Sequence, residues 1–247
     1  METDRNITNI LESTTIKPKR SVLMVGPSGS MKTITASFFP EPQLWIASNP
    51  GQMCGFPLSI WEKVKKNKEN VVIKAQNESH HDMIKFVGDE GSNFASIILD
   101  DMTYLQHCFL SEKKGQKPKA TYDDWGFVLE WSRDIINASS ETGAHLVVIA
   151  LEQIVKEEIE GRVMGLPHVF GAFKHDLPAL VRTSLHITAQ AVPKGEPKRF
   201  VHATPTSIWG WCKDREGILG PEEPHPDWIV KFLGANVVKP VVNPMGG

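Results

Sequence analysis

Between positions 26 and 33 the chain reads Gly26-Pro27-Ser28-Gly29-Ser30-Met31-Lys32-Thr33. These residue types at this spacing suit one chemistry, the holding of phosphate. Glycines let backbone N–H groups converge on anionic oxygens, a lysine reaches the β and γ oxygens, and a threonine hydroxyl can serve Mg²⁺. The order follows G-x-x-x-x-G-K-[ST] except at Met31, which stands where the second glycine belongs. Its side chain is expected to point away from a nucleotide and its backbone to take an ordinary helical φ. An apolar run, Ser21-Val22-Leu23-Met24-Val25, precedes the loop and predicts a strand. From Lys32 the pattern predicts a helix, stopped by Pro40 and Pro42. Strand, turn and helix are the context a phosphate loop needs, so residues 26–33 are the expected ATP-binding segment.

A second carboxylate-bearing element completes the expected pocket. Ile97-Ile98-Leu99-Asp100-Asp101 is an apolar strand ending in two acids. In a parallel sheet such ends line the ligand crevice. Asp100, opposite Thr33, is the expected Mg²⁺ ligand. Asp101 is a candidate to polarise an attacking water or to anchor the Mg²⁺ shell. Nine histidines show no metal-ligand spacing, and His80-His81 as helix neighbours point apart. Three cysteines lie far apart without a C-x-x-C pair, which argues against a zinc ribbon or disulfide framework and for a reducing cytoplasm.

These residues need a scaffold, and the remaining pattern supplies one. Short strands at 44–47, 71–73, 94–99 and 144–151 alternate with helical stretches near 80–87, 103–110 and 123–139. Strands apolar on both faces and separated by helices predict an α/β fold with a mostly parallel sheet covered on both sides. Strands near 184–189 and 200–204 predict an antiparallel extension of that sheet. The expected division is a lead-in over 1–20, one core over 21–220 and a C-terminal tail over 221–247, of which the last seven residues are expected to be loose. With 247 residues, one domain can bury a sizeable core. No apolar run approaches membrane-spanning length, and the first twenty residues lack the apolar block of a signal peptide. A net charge of −2 excludes a wholesale polybasic nucleic-acid binder but not a local basic groove.

With the loop and the acidic strand in place, the chain resembles the RecA-like P-loop ATPases, in particular short phage-borne AAA-type members, some of which are single-strand annealing recombinases. The resemblance spans about residues 21–220. It implies that Gln153, at the end of the longest strand, senses the γ-phosphate. Residues 155–175 fall at the family's second DNA-contacting loop, with Arg162 as a contact. Cys212-Lys213-Asp214-Arg215-Glu216-Gly217 is similar to a Lys-x-Arg-x-Gly motif through which Lys213 or Arg215 would act on a neighbouring subunit's nucleotide. The position of the family's usual catalytic glutamate falls at Asn49, an amide that orients water but accepts no proton. Either Asp101 or Glu152 substitutes, or hydrolysis is slow and ATP binding is the main event.

Beyond the pocket, the segment 111–119 carries Lys113, Lys114, Lys117 and Lys119 against one glutamate. It follows the acidic strand by one helix, where the resemblance places a first single-stranded DNA loop. Flexible lysines suit sequence-independent phosphate contact, although a solvated surface loop has the same composition. Trp125 and Trp131 are expected on the buried face of the long helix, and Trp209-Gly210-Trp211 in packing, a subunit contact or a stacking platform for bases. The function expected is a Mg²⁺-dependent, ATP-binding protein of the host cytoplasm. It would self-associate head to tail into a ring or filament and act on single-stranded DNA in phage recombination or replication. The rival from another class is a nucleotide-gated protein that hardly turns ATP over and recruits a protein partner. Asn49, Met31 and the near-neutral charge favour that rival.

Overall fold

The first strand, β1 (Ser21–Gly26), alternates its side chains between two hydrophobic cores, and this sets the layering of the molecule. Leu23 and Val25 face one core; Val22 and Met24 face the other. The computed structural model describes residues 19–48, 58–75, 78–156, 161–190, 197–225 and 227–234. Within them, β2 (Gln43–Ala47), β3 (Val71–Lys74), β4 (Ser96–Asp100), β5 (His145–Lys156) and β7 (Thr183–Gln190) join β1 in parallel, in the order β7-β1-β5-β4-β2-β3. Because β5 lies between β1 and β4, the ends of the phosphate-loop strand and the acidic strand open onto one crevice.

The core on the Leu23 side is closed by α3 (His80–Glu90), α4 (Met102–Lys114), α5 (Tyr122–Glu141) and the short α6 (Phe173–Asp176), through Met83, Leu105, Phe109, Trp131, Ile135 and Phe173. The opposite core is closed by α1 (Lys32–Ala36), α2 (Leu58–Lys66) and α7 (Trp228–Leu233), through Ala36, Val64, Trp228 and Phe232. Local sequence explains where these helices begin. Ser79 caps α3 by accepting from Asp82 N. Asp101 caps α4, and Thr121 with Asp124 forms a reciprocal capping box on α5.

The antiparallel extension is present and reaches further than the pattern predicts. β8 (Lys198–His202) pairs with β7, β10 (Glu222–Pro224) pairs with β8, and β9 (Lys213–Asp214) pairs with β7. Within the expected C-terminal tail, Glu222–Pro224 form β10 and Trp228–Leu233 form α7, while the last seven residues, expected to be loose, lie outside the described residues. Trp228, Ile229 and Phe232 are fully packed in the core, and each such side chain contributes roughly 1.5–3 kcal/mol of burial. The stretch after residue 154, expected as a loop, is a hairpin: β5 continues to Lys156 and returns as β6 (Val163–Pro167). The helix expected near 103–110 runs on to Lys114, so Lys113 and Lys114 are helical rather than looped. Trp131 is buried as expected, whereas Trp125 is 39% exposed, against the edge of Phe170.

Candidate nucleotide-binding site

Gly26 ends β1 where only glycine fits, since a Cβ there would lie 2.6 Å from the Ile187 carbonyl oxygen on β7. The chain then turns through Pro27 to Ser30, with Ser30 N donating to Pro27 O at 3.3 Å and Gly29 at φ +77°. Met31 does not take the helical φ expected of it. It sits at φ +68°, ψ +20°, left-handed, as the residue that starts α1. The turn geometry, not the side chain, dictates this torsion, and an L-residue meets it at a cost of roughly 1–2 kcal/mol. The second glycine of the motif is thus a torsional requirement that methionine satisfies under strain.

The Lys32 ammonium turns back over the loop. It donates to the carbonyl oxygens of Gly26 and Pro27, both at 2.8 Å, and to Ser30 Oγ at 3.1 Å. Burial lowers its pKa to about 8 against the opposing pull of Asp101, Asp100 and Glu152. Next to it the Thr33 hydroxyl stands beside the Asp100 carboxylate and favours its charged form. Asp100 is only 6% exposed, and burial together with the neighbouring Asp101 charge pushes its carboxyl up to about 7. A hydroxyl and a buried, destabilised carboxylate side by side are hard oxygen donors for which a divalent cation is a fitting partner. Thr33 and Asp100, separated by 67 positions, are brought together by the fold.

Asp101, beside Asp100, also caps the helix that follows. Burial raises its carboxyl to about 6, while hydrogen bonds from Tyr104 N and Thr103 N and the Lys32 charge oppose the rise. Its Oδ1 accepts from Tyr104 N at 2.8 Å. One of its two oxygens thus caps α4. Thr103 Oγ1 in turn accepts from Leu151 N at 3.0 Å, tying the ends of β4 and β5 together.

Gln153 lies two residues beyond the Gly26–Leu151 pairing, in the β5–β6 hairpin opposite Leu166. Its neighbour Glu152 accepts from Trp209 Nε1 at 2.8 Å and pairs with the buried His186, whose Nε2 lies 2.9 Å away. That approach is poorly aligned for a straight N–H···O bond, and neither His186 ring nitrogen makes a well-formed one. Burial pushes the Glu152 carboxyl up, but His186, Trp209 and Lys32 outweigh it and hold the group below its ordinary value. Trp209 stacks on His186 with ring centroids 3.7 Å apart and rests on Gly165, where a Cβ would come within 2.3 Å of the indole nitrogen. Trp209 and Trp211 are thus committed to packing within the chain.

Lys213 and Arg215 stand away from this crevice. Lys213 pairs with Ser184, and Arg215 N donates to Arg182 O. Arg215 lies at the level of Ser21, about 17 Å of strand from Gly26, and Lys213 at the level of Leu23, about 10 Å from it. The segment is fixed rather than free to project: Asp214 accepts from Thr183 Oγ1 and from the backbone N–H groups of Glu216, Ile218 and Leu219. Of the lysine group, Lys117 bonds Asp124, whose side chain is 3% exposed, and Lys113 lies 3.9 Å over the Phe127 ring. Lys119 and Arg162 are exposed, Lys114 half-buried. Asn49, the position of the expected catalytic glutamate, lies outside the described residues, as do residues 157–160. Two further polar groups beside the loop carry no signal in the sequence. Arg199 on β8 donates to Gly29 O, and His225 shares a 2.9 Å hydrogen bond with Thr35 Oγ1 on α1. Each reaches the loop across more than 160 positions, beyond the range of any local pattern.

A six-stranded parallel array, with the loop of residues 26–33 after β1 and the acidic end of β4 two strands away, is the RecA-like α/β fold. The solved structures agree. The chain is similar to the KaiC-like protein PH0186 of the archaeon Pyrococcus horikoshii OT3, with a TM-score of 0.53 and 13% sequence identity over 83% of this chain and 84% of that one. No family model and no curated protein sequence matches the chain. Among the described residues, no helix is long and apolar enough to cross a membrane, and no group of three or more histidine, cysteine or acidic side chains is placed to hold a metal ion by itself.

Proposed function

We propose that the protein binds ATP with Mg²⁺ at residues 26–33 and hydrolyses it at an interface between subunits arranged head to tail, in the service of single-stranded DNA handling in phage recombination or replication. One observation carries the nucleotide half of this reading. The Lys32 ammonium and the Thr33–Asp100 pair converge at the mouth of the phosphate loop, a cation for phosphate beside oxygen donors for a divalent metal. Mg²⁺, when bound there, would supply charge neutralisation at the phosphates. Thr33 and Asp100 would hold it, Lys32 would exchange loop carbonyls for phosphate oxygens, and Gln153 would read the terminal phosphate. Asp101 and Glu152 are the two acids that could orient water: Asp101 through the carboxylate oxygen that does not cap α4, Glu152 with its carboxylate held by Trp209.

Arg215 supports the head-to-tail arrangement. It is exposed and lies at the opposite end of the strands from its own loop, so it can serve a nucleotide only in a neighbour, and repetition of that contact gives a ring or filament. Lys114 and Lys119 remain for DNA, with Arg162 on the hairpin. The internal commitments of Lys113 and Lys117 favour the second reading, a nucleotide-gated protein that recruits a protein partner. ATP turnover measured with and without single-stranded DNA separates the two. Stimulation of several-fold or more is expected for the first, whereas binding of ATP with no turnover in either condition would establish the second.

A further inference from the structure

We propose that Arg199 is a phosphate ligand of the nucleotide site supplied in cis, an assignment that rests on the ATP reading above and extends it. Three of the described arginines are neutralised by carboxylates: Arg20 and Arg182 by Glu216, and Arg133 by Asp176. Arg199 has no carboxylate within ion-pair distance among the described residues. Its Nη2 points at the phosphate loop, donating to Gly29 O at 3.4 Å, and its Nη1 donates to Pro197 O at 3.4 Å. Its Nε is buried without any partner. Contacts of 3.4 Å to neutral carbonyls are the outer limit of hydrogen bonding. A phosphate oxygen, by contrast, meets a guanidinium with short, charged and often paired bonds.

The position is prepared for such a ligand. Arg199 is held on both sides of its strand, paired with Ala189 on β7 and accepting from His225 N at 3.1 Å. The loop is open where the guanidinium approaches, since a Cβ at Gly29 would meet nothing within 4 Å. His225 cannot neutralise the arginine. It is an uncharged ring whose two nitrogens are taken by Thr35 and Trp228. Lys32 and Arg199 thus approach the phosphate loop from within one chain, Arg199 on the side of Gly29. Arg199 strengthens binding of the outer phosphates, while Arg215 of another subunit remains the group that acts on turnover.

The test is the affinity of the full chain for ATP, ADP and AMP in Mg²⁺, measured by titration calorimetry for wild type, Arg199→Ala and Arg199→Gln, with the thermal midpoint of each protein taken without nucleotide. Removing a charged hydrogen bond should weaken ATP binding by about 10-fold or more, ADP binding less, and AMP binding under about 2-fold. The glutamine variant keeps much of the side-chain stem, so it reports on the charge should the alanine variant fold poorly. Wild type that binds ATP while Arg199→Gln binds it equally well overturns the assignment and leaves the ATP reading intact. Equal losses for AMP and ATP overturn it also, because a merely structural role does not depend on phosphate number. Wild type that binds no ATP overturns the ATP reading itself, and this inference with it.

Discussion

Met31 shows how a single torsion can be hidden behind a motif mismatch. By residue type it departs from the phosphate-loop pattern; by conformation it does what the missing glycine would do, at φ +68°. Among the described residues it is the one non-glycine with a positive φ. Met31→Gly should relieve the left-handed strain while adding unfolded-state freedom. The net expectation is a stabilisation of about 1 kcal/mol, read as a rise of about 2–4 °C in thermal midpoint for a domain of this size, with ATP affinity kept or improved. A fall in midpoint would show that the methionine side chain contributes packing larger than the strain it imposes. The same loop explains why Lys32 is poised for phosphate: burial without a carboxylate in hydrogen-bond contact lowers its pKa to about 8, a cost that an anionic ligand removes.

At the scale of elements, β10 and α7 brace the loop rather than trailing from the core. Trp228 Nε1 donates to His225 Nδ1 at 2.9 Å, which leaves Nε2 as the nitrogen facing Thr35 Oγ1, and Thr35 donates to Met31 O at 2.9 Å. Burial and the Arg199 charge hold His225 down to about 3. The folded-state value lies below the unfolded one, so its contribution to stability is fully present above about pH 6.5. It is lost as the pH falls and the unfolded chain takes up the proton. Between pH 6.5 and 5 this loss should amount to about 1.6 kcal/mol. Urea unfolding at the two pH values should show a correspondingly steeper fall for wild type than for His225→Gln, the comparison cancelling the other titrating groups. Parallel falls would mean that His225 is not the group whose protonation opposes the fold.

The lysine segment is also a matter of elements. The antiparallel pairing of α4 and α5 carries it about 20 Å along α4 from Asp101. Because Lys117 holds Asp124 and Lys113 covers Phe127, replacing all four lysines would disturb the α4–α5 junction as well as any DNA contact. Lys114→Ser with Lys119→Ser is the cleaner variant. It should weaken single-strand binding and lower the slope of log affinity against log salt by at most about 1.4, near 0.7 for each phosphate no longer neutralised. An unchanged slope would remove this segment from the DNA-binding surface.

For the whole molecule, the expectation is that one chain is half a site. Arg215→Ala should lower ATP turnover by at least 10-fold while changing ATP affinity less than about 2-fold, because the group acts on charge developing in the transition state of a neighbour's nucleotide. Mixing it with Lys32→Ala subunits should restore part of the activity, since some interfaces then join an intact loop to an intact arginine. Sedimentation of wild type as a monomer at high concentration with ATP, Mg²⁺ and single-stranded DNA would exclude this arrangement.

The strand, turn and helix around residues 26–33, the acidic strand and the parallel α/β class were legible because each is encoded locally. Glycine spacing, an apolar run ending in aspartates, and strands apolar on both faces are constraints between near neighbours in the chain. The approach of Thr33 to Asp100 could be inferred for the same reason, since two such motifs at the ends of parallel strands must face one crevice. What only the tertiary structure decided depends on partners far apart in sequence. Asp101 also caps α4 because one of its oxygens finds Tyr104 N. Lys117 is an ion-pair partner because α5 folds back beside it, and residues 222–233 join the core because β8 offers β10 an open edge. Arg199 reaches Gly29 across 170 positions, and no periodicity or spacing within β8 distinguishes it from an ordinary surface arginine. Whether a charge is free or already paired is a property of its surroundings, and those are set when the sheet closes.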